Sequence, residues 1–384
     1  MGALYVHVPF CARKCVYCDF ESTATAQDDP CMDAYLQRRL QEIQKAKELR
    51  LLSSCSTAYV GGGTPSFLGA KRLGTLASNI RVACPGLTEF TCEANPDSLT
   101  NEVLTVMADS GVTRLSIGVQ SLDDAELKAL GRIHTAEQAK DRVRAAVETG
   151  LDVSVDLMCA IPHQTDASWR RTLDGVLRLG VGHVSVYPLS IEEGTPLEMR
   201  YRGKPTPWND DDVQAERMED AERVLAQAGY ERYEVASYAR PGKQCLHNIA
   251  YWTGVPYLGL GPGAASMLGP EQYDLAKQVL SWLPVREPSA ARMRFCIPRR
   301  STSVQEVEFM SAREAWAEDL MLGMRLTQGI EATRLDCAPK TREDLLAKGL
   351  VARRGNCLVP THDGWLLGNE LYGALWDLAE PAHG

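Results

Sequence analysis

Residues 4–20 read Leu4-Tyr-Val-His-Val-Pro-Phe-Cys11-Ala-Arg-Lys-Cys15-Val-Tyr-Cys18-Asp-Phe20 and place three cysteines in the spacing C-x3-C-x2-C. Iron–sulfur clusters are tied to proteins by cysteine thiolates, and four thiolates are the usual complement. Three thiolates can hold three irons of a [4Fe-4S] cluster and leave the fourth iron open to a substrate or cofactor. The spacing therefore predicts a cluster that takes part in chemistry.

Two other interpretations of these cysteines are open. A zinc site more often uses C-x2-C or Cys/His pairs at two separate places, and the sequence has no second pair of that kind. Free cysteine is also a common core residue. Three cysteines within eight residues, beside Arg13 and Lys14, favour the cluster.

Length and composition indicate an ordinary globular protein. The chain has 384 residues, 45% of them apolar and 24% charged, which is enough for one large α/β domain and a smaller one. A net charge of −9 argues against a general nucleic-acid binder. Twelve cysteines without a compact framework suit a reducing cytoplasm. We find no signal-peptide pattern and no apolar stretch of membrane-spanning length, so the expected location is the cytoplasm.

Strand and helix patterns alternate through the first 230 residues. Short apolar, β-branched runs are each followed by a longer amphipathic pattern, which predicts a parallel sheet with crossover helices. About six such units fit, fewer than the eight of a closed barrel, so we expect an open, partial barrel. The predicted strands are 4–8, 56–60, 87–93, 114–118, 152–158 and 183–189, and the predicted helices are 30–52, 71–82, 98–110, 135–149, 167–179 and 210–228.

The pattern changes after residue 240. Residues 241–270 are rich in Gly, Pro and aromatic residues and predict an ordered loop, and residues 271–300 show no clear periodicity. A small α+β, winged-helix-like domain is expected after that, with an interaction or lid role because it lacks a basic stripe. Its predicted elements are a helix at 311–326, a helix at 343–348, strands at 350–352 and 357–360, and a helix at 363–378. We expect a core barrel in 1–235, a connection in 236–300 and the C-terminal domain in 301–384.

Polar residues follow several predicted strands. The run Gly61–Gly63, followed by Thr64, ends the second strand, and glycines let backbone groups approach a ligand closely. Glu93, Gln120 and Asp156 lie in or at the ends of later strands, where a buried polar side chain is costly unless it is bonded. A tight turn and structural hydrogen bonds are the alternative explanations. Because ligand sites of parallel α/β folds lie at these strand ends, the residues together predict contacts to a polar ligand.

A further cluster of candidate residues lies in the segment Cys245-Leu-His247-Asn248-Ile-Ala-Tyr251-Trp252. Imidazole ligates heme iron, and indole or phenol rings can stack on the macrocycle. The segment could therefore bind a flat aromatic cofactor. Taken by itself it is more typical of a packed aromatic corner with a hydrogen-bonded histidine.

These motifs together resemble the HemN/HemW group of the radical S-adenosylmethionine (SAM) superfamily, and the similarity covers most of the chain. The set is far more specific than any one motif. The shared motifs are Tyr5-Val-His-Val-Pro-Phe-Cys11, Cys18-Asp-Phe20, Gly61-Gly-Gly-Thr-Pro-Ser66, Glu93-Ala-Asn-Pro96, Ser116-Ile-Gly-Val-Gln-Ser121, Gly131-Arg-Ile-His134, Asp156-Leu157 and His247-Asn-x-x-Tyr-Trp252.

The resemblance implies a partial (β/α)6 radical SAM barrel with a small C-terminal accessory domain. It implies that Cys11, Cys15 and Cys18 hold the [4Fe-4S] cluster, and that the amino and carboxylate groups of SAM chelate the open iron. Asp156 would bind the ribose hydroxyls, and Phe20 would lie near the adenine. The residues implied to contact SAM are Tyr5, Phe20, Gly62, Gly63, Thr64, Glu93, Gln120, Arg132 and Asp156.

Two functions of different classes follow from the resemblance. One is a heme chaperone that binds heme and delivers it to apo-proteins such as respiratory cytochromes, with low or absent SAM turnover. The other is an oxygen-independent coproporphyrinogen III dehydrogenase, a radical enzyme of heme synthesis. The dehydrogenase has another cysteine where this chain has Phe20, and a sizeable extension before its cluster motif, whereas ten residues precede Cys11 here. The H-N-x-x-Y-W element is typical of the chaperones, which implies heme contacts by His247, Asn248, Tyr251 and Trp252.

One position departs from the group. Relatives usually have a His in a G-A-H-S-like segment, and this chain has Ala265 there, so the axial ligation of heme is open. A third interpretation is a diverged radical SAM enzyme that acts on another tetrapyrrole or on an unrelated substrate. The resemblance also implies a homodimer that depends on the cluster, and at most transient membrane contact during heme delivery.

Overall fold

The computed structural model describes residues 2–297 and 307–380 of the chain. The predicted boundary between residues 300 and 301 lies outside the described residues. No helix in the described part combines the length and apolarity that crossing a bilayer requires.

The described residues form seventeen strands and fourteen α-helices. The strands are β1 (Gly2–Val8), β2 (Phe10–Cys11), β3 (Thr23–Ala24), β4 (Cys55–Gly62), β5 (Glu89–Ala94), β6 (Arg114–Gln120), β7 (Asp152–Cys159), β8 (His183–Pro188), β9 (Glu231–Arg232), β10 (Ser237–Ala239), β11 (Tyr257–Leu260), β12 (Ala265–Leu268), β13 (Arg292–Cys296), β14 (Val307–Met310), β15 (Ile330–Glu331), β16 (Val351–Arg354) and β17 (Cys357–Pro360). The helices are α1 (Cys31–Glu48), α2 (Gly69–Ala83), α3 (Asn101–Asp109), α4 (Asp124–Ala129), α5 (Ala136–Glu148), α6 (Asp166–Leu177), α7 (Pro196–Tyr201), α8 (Asp211–Gln227), α9 (Leu246–Trp252), α10 (Pro270–Val279), α11 (Ala312–Gly323), α12 (Pro339–Ala347), α13 (His362–Leu366) and α14 (Gly368–Trp376).

One twelve-stranded sheet dominates the fold, in the order β14-β13-β12-β11-β1-β4-β5-β6-β7-β8-β10-β9. Its six strands β1 and β4–β8 lie side by side and are all parallel. Helices α1, α2, α3, α5 and α6 cross between them, and α8 follows β8. The two outermost strands, β14 and β9, are not paired with each other in the described chain, so the curved sheet stays open. The predicted partial (β/α)6 barrel is confirmed.

Successive residues of the barrel strands alternate between the apolar shell and the interior. In β6, Leu115, Ile117 and Val119 are buried in the hydrophobic core, whereas Ser116 and Gln120 line an interior cavity. This alternation is the period of two that a strand imposes on its side chains. The helices cover the outer face and supply the rest of the core, so polar residues collect inside the barrel.

Local signals in the sequence explain where several helices begin. At the start of α5 the Thr135 side chain accepts a hydrogen bond from the Gln138 amide, and the Gln138 side chain accepts one from the Thr135 amide. Ser311 and Glu314 form the same reciprocal pair before α11. Such capping boxes satisfy backbone donors that have no partner within the helix.

The sequence predicts a loop for residues 241–270, and this expectation is wrong. Residues 271–300 show no clear periodicity, yet their described part also contains a helix and a strand. These residues form α9, β11, β12, α10 and β13, which extend the sheet beyond β1. The three strands have only four or five residues each, so they show little periodicity. Gly259 is required in β11 because a Cβ there would lie 2.1 Å from the Ala265 carbonyl oxygen. Close backbone approach is a common reason for glycine within a strand.

The C-terminal part has its own apolar core between α11–α14 and a small sheet of order β15-β17-β16. The predicted strands at 350–352 and 357–360 are present as the antiparallel hairpin β16–β17. Buried Glu318 on α11 accepts hydrogen bonds from Arg292 at 2.7 Å and from Arg294 at 2.5 Å, both on β13. This ion network fastens the C-terminal helices to the extended edge of the sheet.

Candidate functional site

A cavity of about 530 Å³ fills the interior of the barrel and reaches the carboxyl ends of its parallel strands. It brings together most of the residues that the sequence singles out, although they come from separate strands and from the cysteine loop. The predicted residues that line it are Cys11, Cys15, Cys18, Phe20, Gly62, Gly63, Thr64, Glu93, Gln120, Arg132, Asp156 and Asn248.

The loop of residues 11–20 carries the three cysteines at one side of this cavity. Cys11 ends the short strand β2, which pairs with β3, and Cys15 and Cys18 are partly buried further along. The Val16 amide donates to the Leu130 carbonyl at 3.2 Å, and the Leu197 amide donates to the Val16 carbonyl at 2.8 Å. The loop is therefore held by the end of α4 on one side and by α7 on the other.

Two side chains outside the loop donate hydrogen bonds to cysteine sulfurs. The Thr64 hydroxyl lies 3.4 Å from the Sγ of Cys11, and Nη1 of Arg132 lies 3.5 Å from the Sγ of Cys15. Burial raises the pKa values of the Cys11 and Cys18 thiols above that of an exposed cysteine. Hydrogen-bond donors aimed at the sulfurs are of the kind that orient and tune the ligands of a metal cluster.

The cysteine loop fits a group that takes one thiolate per metal. Three thiols of one loop face a single cavity, and two of them have donors aimed at their sulfurs. Among residues 2–297 and 307–380, no three His, Cys, Asp or Glu side chains are close enough to hold a single ion. The sulfurs that bind a [4Fe-4S] cluster lie further apart than the ligands of a single ion, because each thiolate binds a different iron.

The glycine run after β4 packs against the segment that leads into Cys11. The Gly63 amide donates to the Val8 carbonyl and the Thr64 amide donates to the Phe10 carbonyl, both at 2.8 Å. Gly62 has a φ of +108°, and a Cβ there would lie 2.5 Å from the ring of His7. The missing side chains thus allow close packing of backbone on backbone, in addition to lining the cavity.

Two partly buried carboxyl groups face the cavity with raised pKa values. The Glu93 carboxyl accepts hydrogen bonds from the Tyr59 hydroxyl at 2.7 Å and from the Gly62 amide at 3.1 Å. Burial raises its pKa to about 7. Burial also raises the pKa of Asp156 to about 6, although the Ser116 hydroxyl donates to this carboxyl at 3.0 Å. Carboxyl groups that are ready to ionise near neutral pH suit a cationic or hydroxyl-bearing ligand.

The other predicted SAM contacts differ in their position relative to the cavity. Gln120 ends β6 at a bulge with a φ of +68°, a conformation that costs a non-glycine residue energy and is common at functional sites. Phe20 stands at the cavity mouth with 63% of its surface exposed. Tyr5 does not line the cavity. Its hydroxyl donates to Nδ1 of His7 at 3.0 Å, and Nε2 of His7 donates to the Glu21 carbonyl at 2.7 Å, so Tyr5 supports the end of the cysteine loop.

Comparison with known proteins places the chain in a family. The sequence profile of the Radical SAM superfamily matches residues 5–176. The protein named heme chaperone HemW from Mycobacterium tuberculosis is 36% identical over 97% of this chain and 94% of its own length. The protein of the same name from Bacillus subtilis is 31% identical over 97% of this chain and 99% of its own length. The chain belongs to the HemW family of the radical SAM superfamily. The resemblance drawn from the motifs is confirmed.

A solved structure agrees with this membership at the level of the fold. Coproporphyrinogen III oxidase (HemN) from Escherichia coli superposes with a TM-score of 0.76 over 97% of this HemW-family chain and 89% of its own chain, at 22% identity. An identity this low supports the shared architecture alone. The superfamily to which both proteins belong implies a [4Fe-4S] cluster and SAM as cofactors.

The H-N-x-x-Y-W element of this HemW-family chain forms α9 at the floor of the barrel. The ring of His247 is fully buried, with Nδ1 2.9 Å from the Thr57 hydroxyl and Nε2 2.9 Å from the Tyr251 hydroxyl. The Glu89 carboxylate accepts hydrogen bonds from the amides of Leu246 and His247, both at 2.8 Å, and so caps the helix. Iron ligation by His247 would require its bond to Tyr251 to break.

Trp252 of the same element points to the C-terminal helices. The guanidinium of Arg325 lies between two rings, 5.1 Å from the centre of Trp252 and 4.6 Å from that of Tyr372. Asn248 lines the cavity, whereas His247, Tyr251 and Trp252 do not. Ala265, which replaces the usual histidine of relatives, begins β12 opposite Cys296 of β13 and lies outside the cavity. The structure therefore does not bring the four predicted heme contacts to one accessible surface.

Sequence reasoning missed several polar residues of the barrel interior. Asn95 lies beside the cysteine loop, and Arg114 and His183 line the deeper part of the cavity. Arg114 belongs to an alternation that the sequence does contain, since Arg114, Ser116, Gly118 and Gln120 recur at every second position of β6. Reading that period of two would have pointed to a polar barrel interior. His183 carries the same signal, because His183, Ser185 and Tyr187 occupy every second position of β8 and all three line the cavity.

Proposed function

We propose that this protein is a heme chaperone that carries a SAM-ligated [4Fe-4S] cluster and delivers heme to apo-proteins such as respiratory cytochromes. The observation that supports the proposal most strongly is the three-cysteine loop facing the barrel cavity in a chain whose relatives are named heme chaperones. We also propose a cytoplasmic location, a homodimer that depends on the cluster, and domains at residues 1–235, 236–300 and 301–384.

The proposed roles of the cavity residues follow from their chemistry. Cys11, Cys15 and Cys18 would hold the cluster, which when bound and reduced can supply one electron to SAM. Ionised Glu93 would accept hydrogen bonds from the SAM ammonium, and Asp156 would accept those of the ribose hydroxyls. Both carboxyl groups lie inside the barrel, where partial desolvation strengthens such contacts.

Heme is expected to bind at a different place from SAM, because the cavity is small and polar at its cysteine end. The proposed heme contacts are His247, Asn248, Tyr251 and Trp252, with a change at the barrel floor that frees Nε2 of His247. Replacing that hydrogen bond by an iron bond costs the Tyr251 hydroxyl its partner. Removal of the His247 ring by His247→Ala should therefore weaken heme binding, and unchanged affinity would exclude it as a ligand.

The experiment that tests the function is an anaerobic heme titration of the cluster-reconstituted protein, followed by its Soret band. Saturation near one heme per chain, and transfer of that heme to an apo-cytochrome, is the expected result. The control is the same protein with Cys11, Cys15 and Cys18 replaced by alanine, which separates heme binding from cluster binding. Absence of saturable binding would refute the chaperone, and assays for coproporphyrinogen decarboxylation and 5′-deoxyadenosine would then decide between the two enzyme alternatives.

A further inference from the structure

Asn95, just after β5, joins the two side chains that donate to the cysteine sulfurs. Its Nδ2 donates to the Thr64 hydroxyl at 2.9 Å, and its Oδ1 accepts from Nη2 of Arg132 at 2.8 Å. Thr64 in turn contacts Cys11, and Arg132 contacts Cys15. A continuous chain of hydrogen bonds therefore runs from one cysteine through a single amide to another.

The direction of each bond in this chain is fixed by the groups involved. The guanidinium can only donate, so the end of Asn95 that faces it must be the carbonyl oxygen. The other end is then the NH2 group, which makes the Thr64 oxygen an acceptor. The single hydroxyl proton of Thr64 is left to point at the sulfur of Cys11. One amide orientation thus aims both donors at sulfur.

The surrounding backbone holds Asn95 and Arg132 in this arrangement. The backbone N–H of Asn95 donates to the Ser66 hydroxyl at 3.2 Å, and Nη2 of Arg132 also donates to the Gly118 carbonyl at 2.7 Å. A Cβ at Gly118 would lie 3.0 Å from Oδ1 of Asn95 and 3.4 Å from Nη2 of Arg132. The glycine in β6 leaves the room that the contact needs.

We propose that Asn95 is a positioning residue that raises the reduction potential of the cluster by holding donors on two of its three thiolates. This inference rests on the cluster binding proposed above. Reduction adds negative charge that spreads onto the sulfurs, and hydrogen bonds to the sulfurs stabilise the reduced form. Partners behind the ligands commonly orient them and tune the metal in this way.

The first test is an EPR-monitored redox titration of the reconstituted cluster without SAM, in the wild type and in Asn95→Ala. We expect a more negative potential in the variant, with about a tenfold lower ratio of reduced to oxidised cluster at a fixed poise, equivalent to 59 mV for one electron. The matched control is Thr91→Val, which removes another hydroxyl from the same cavity. Its potential should equal that of the wild type. Equal potentials in Asn95→Ala and the wild type would overturn the inference.

A double-variant cycle keeps the inference testable if Asn95→Ala fails to fold or to assemble a cluster. Asn95→Asp has the same shape but no N–H donor, so the Thr64 hydroxyl should turn to the new carboxylate. Thr64→Val should then lower the potential in the wild type but cause no further change in the Asn95→Asp background. An equal shift in both backgrounds would refute the coupling. Failure of the wild type itself to assemble a cluster would instead refute the proposed function, so the two failures are distinguishable.

Discussion

Replacing Glu93 by glutamine should make the SAM-free protein more stable at alkaline pH. Burial in the barrel keeps this carboxyl protonated to a pKa of about 7, against 4.5 in an exposed chain. Between these two pH values the unfolded chain ionises while the folded chain keeps its proton. The wild-type protein therefore has its full stability from this group below pH 4.5, and it loses that stability as the pH rises through 7. Glutamine does not ionise and should escape that loss.

The pKa of Glu93 differs by about 2.5 units between the folded and the unfolded chain, which corresponds to at most about 3 kcal/mol of unfolding free energy at 1.36 kcal/mol per unit. The side chain lines a cavity that water can enter, which reduces the desolvation, so we expect a gain of about 2 kcal/mol between pH 4.5 and pH 8. Glutamine also loses one acceptor for the Tyr59 hydroxyl or the Gly62 amide. The loss of that hydrogen bond lowers the unfolding free energy of the variant by the same amount at every pH.

Urea unfolding at pH 4.5 and pH 8 measures this gain. The control is Glu287→Gln, which changes an exposed loop carboxyl and should follow the wild type at both pH values. The same Glu93→Gln variant should bind SAM more weakly, because the SAM ammonium loses its proposed carboxylate partner. If its stability relative to the wild type is the same at both pH values, the argument from burial is refuted.

The remaining predictions concern the floor and the rim of the barrel. Tyr251→Phe frees Nε2 of His247 and should strengthen heme binding about tenfold in a Soret titration if His247 is the ligand, because roughly 1.4 kcal/mol for one hydrogen bond is no longer lost. Tyr257→Phe changes the neighbouring ring and should leave the heme affinity unchanged. Equal heme affinities in the two variants would exclude His247 as a ligand. Gly62→Ala should lower the free energy of unfolding by several kcal/mol, whereas Gly180→Ala, also at positive φ but with no atom within 4 Å of the new Cβ, should cost only about 1 kcal/mol. Comparable losses in thermal unfolding would show that backbone strain alone makes Gly62 necessary.

The central barrel could be predicted from sequence because each of its units carries a strong local pattern. A β-branched run followed by a long amphipathic helix is visible without tertiary information, as in 152–158 followed by 167–179. The added strands β11–β13 could not be predicted, because β11 is stabilised by pairing with β1 and by a carbonyl close to Gly259. The pairing joins residues that are far apart in sequence, and the close approach to Gly259 leaves no periodic pattern in a strand of four residues.

The candidate site was predictable to a similar degree. Residues that follow a strand, such as Glu93 and Asp156, could be found from position and polarity alone. Asn95 could not, although it stands two residues after Glu93, because its importance comes from Thr64 and Arg132 on other elements. His247 shows a different case. Its neighbours alone favoured a packed aromatic corner with a hydrogen-bonded histidine, which the structure shows, and only the resemblance implied a heme contact.

The guanidinium of Arg325 between Trp252 and Tyr372 makes the barrel floor and the C-terminal helices share one contact surface. A shortened chain that ends before α11 would uncover the indole and would also strip Glu318 from Arg292 and Arg294. Such a barrel would expose an aromatic face and leave Arg292 without its carboxylate partners, whereas Arg294 would keep Glu308 of β14. Exchange of accessory domains between relatives would therefore have to carry the matching floor residues along, and the two parts should melt in a single transition.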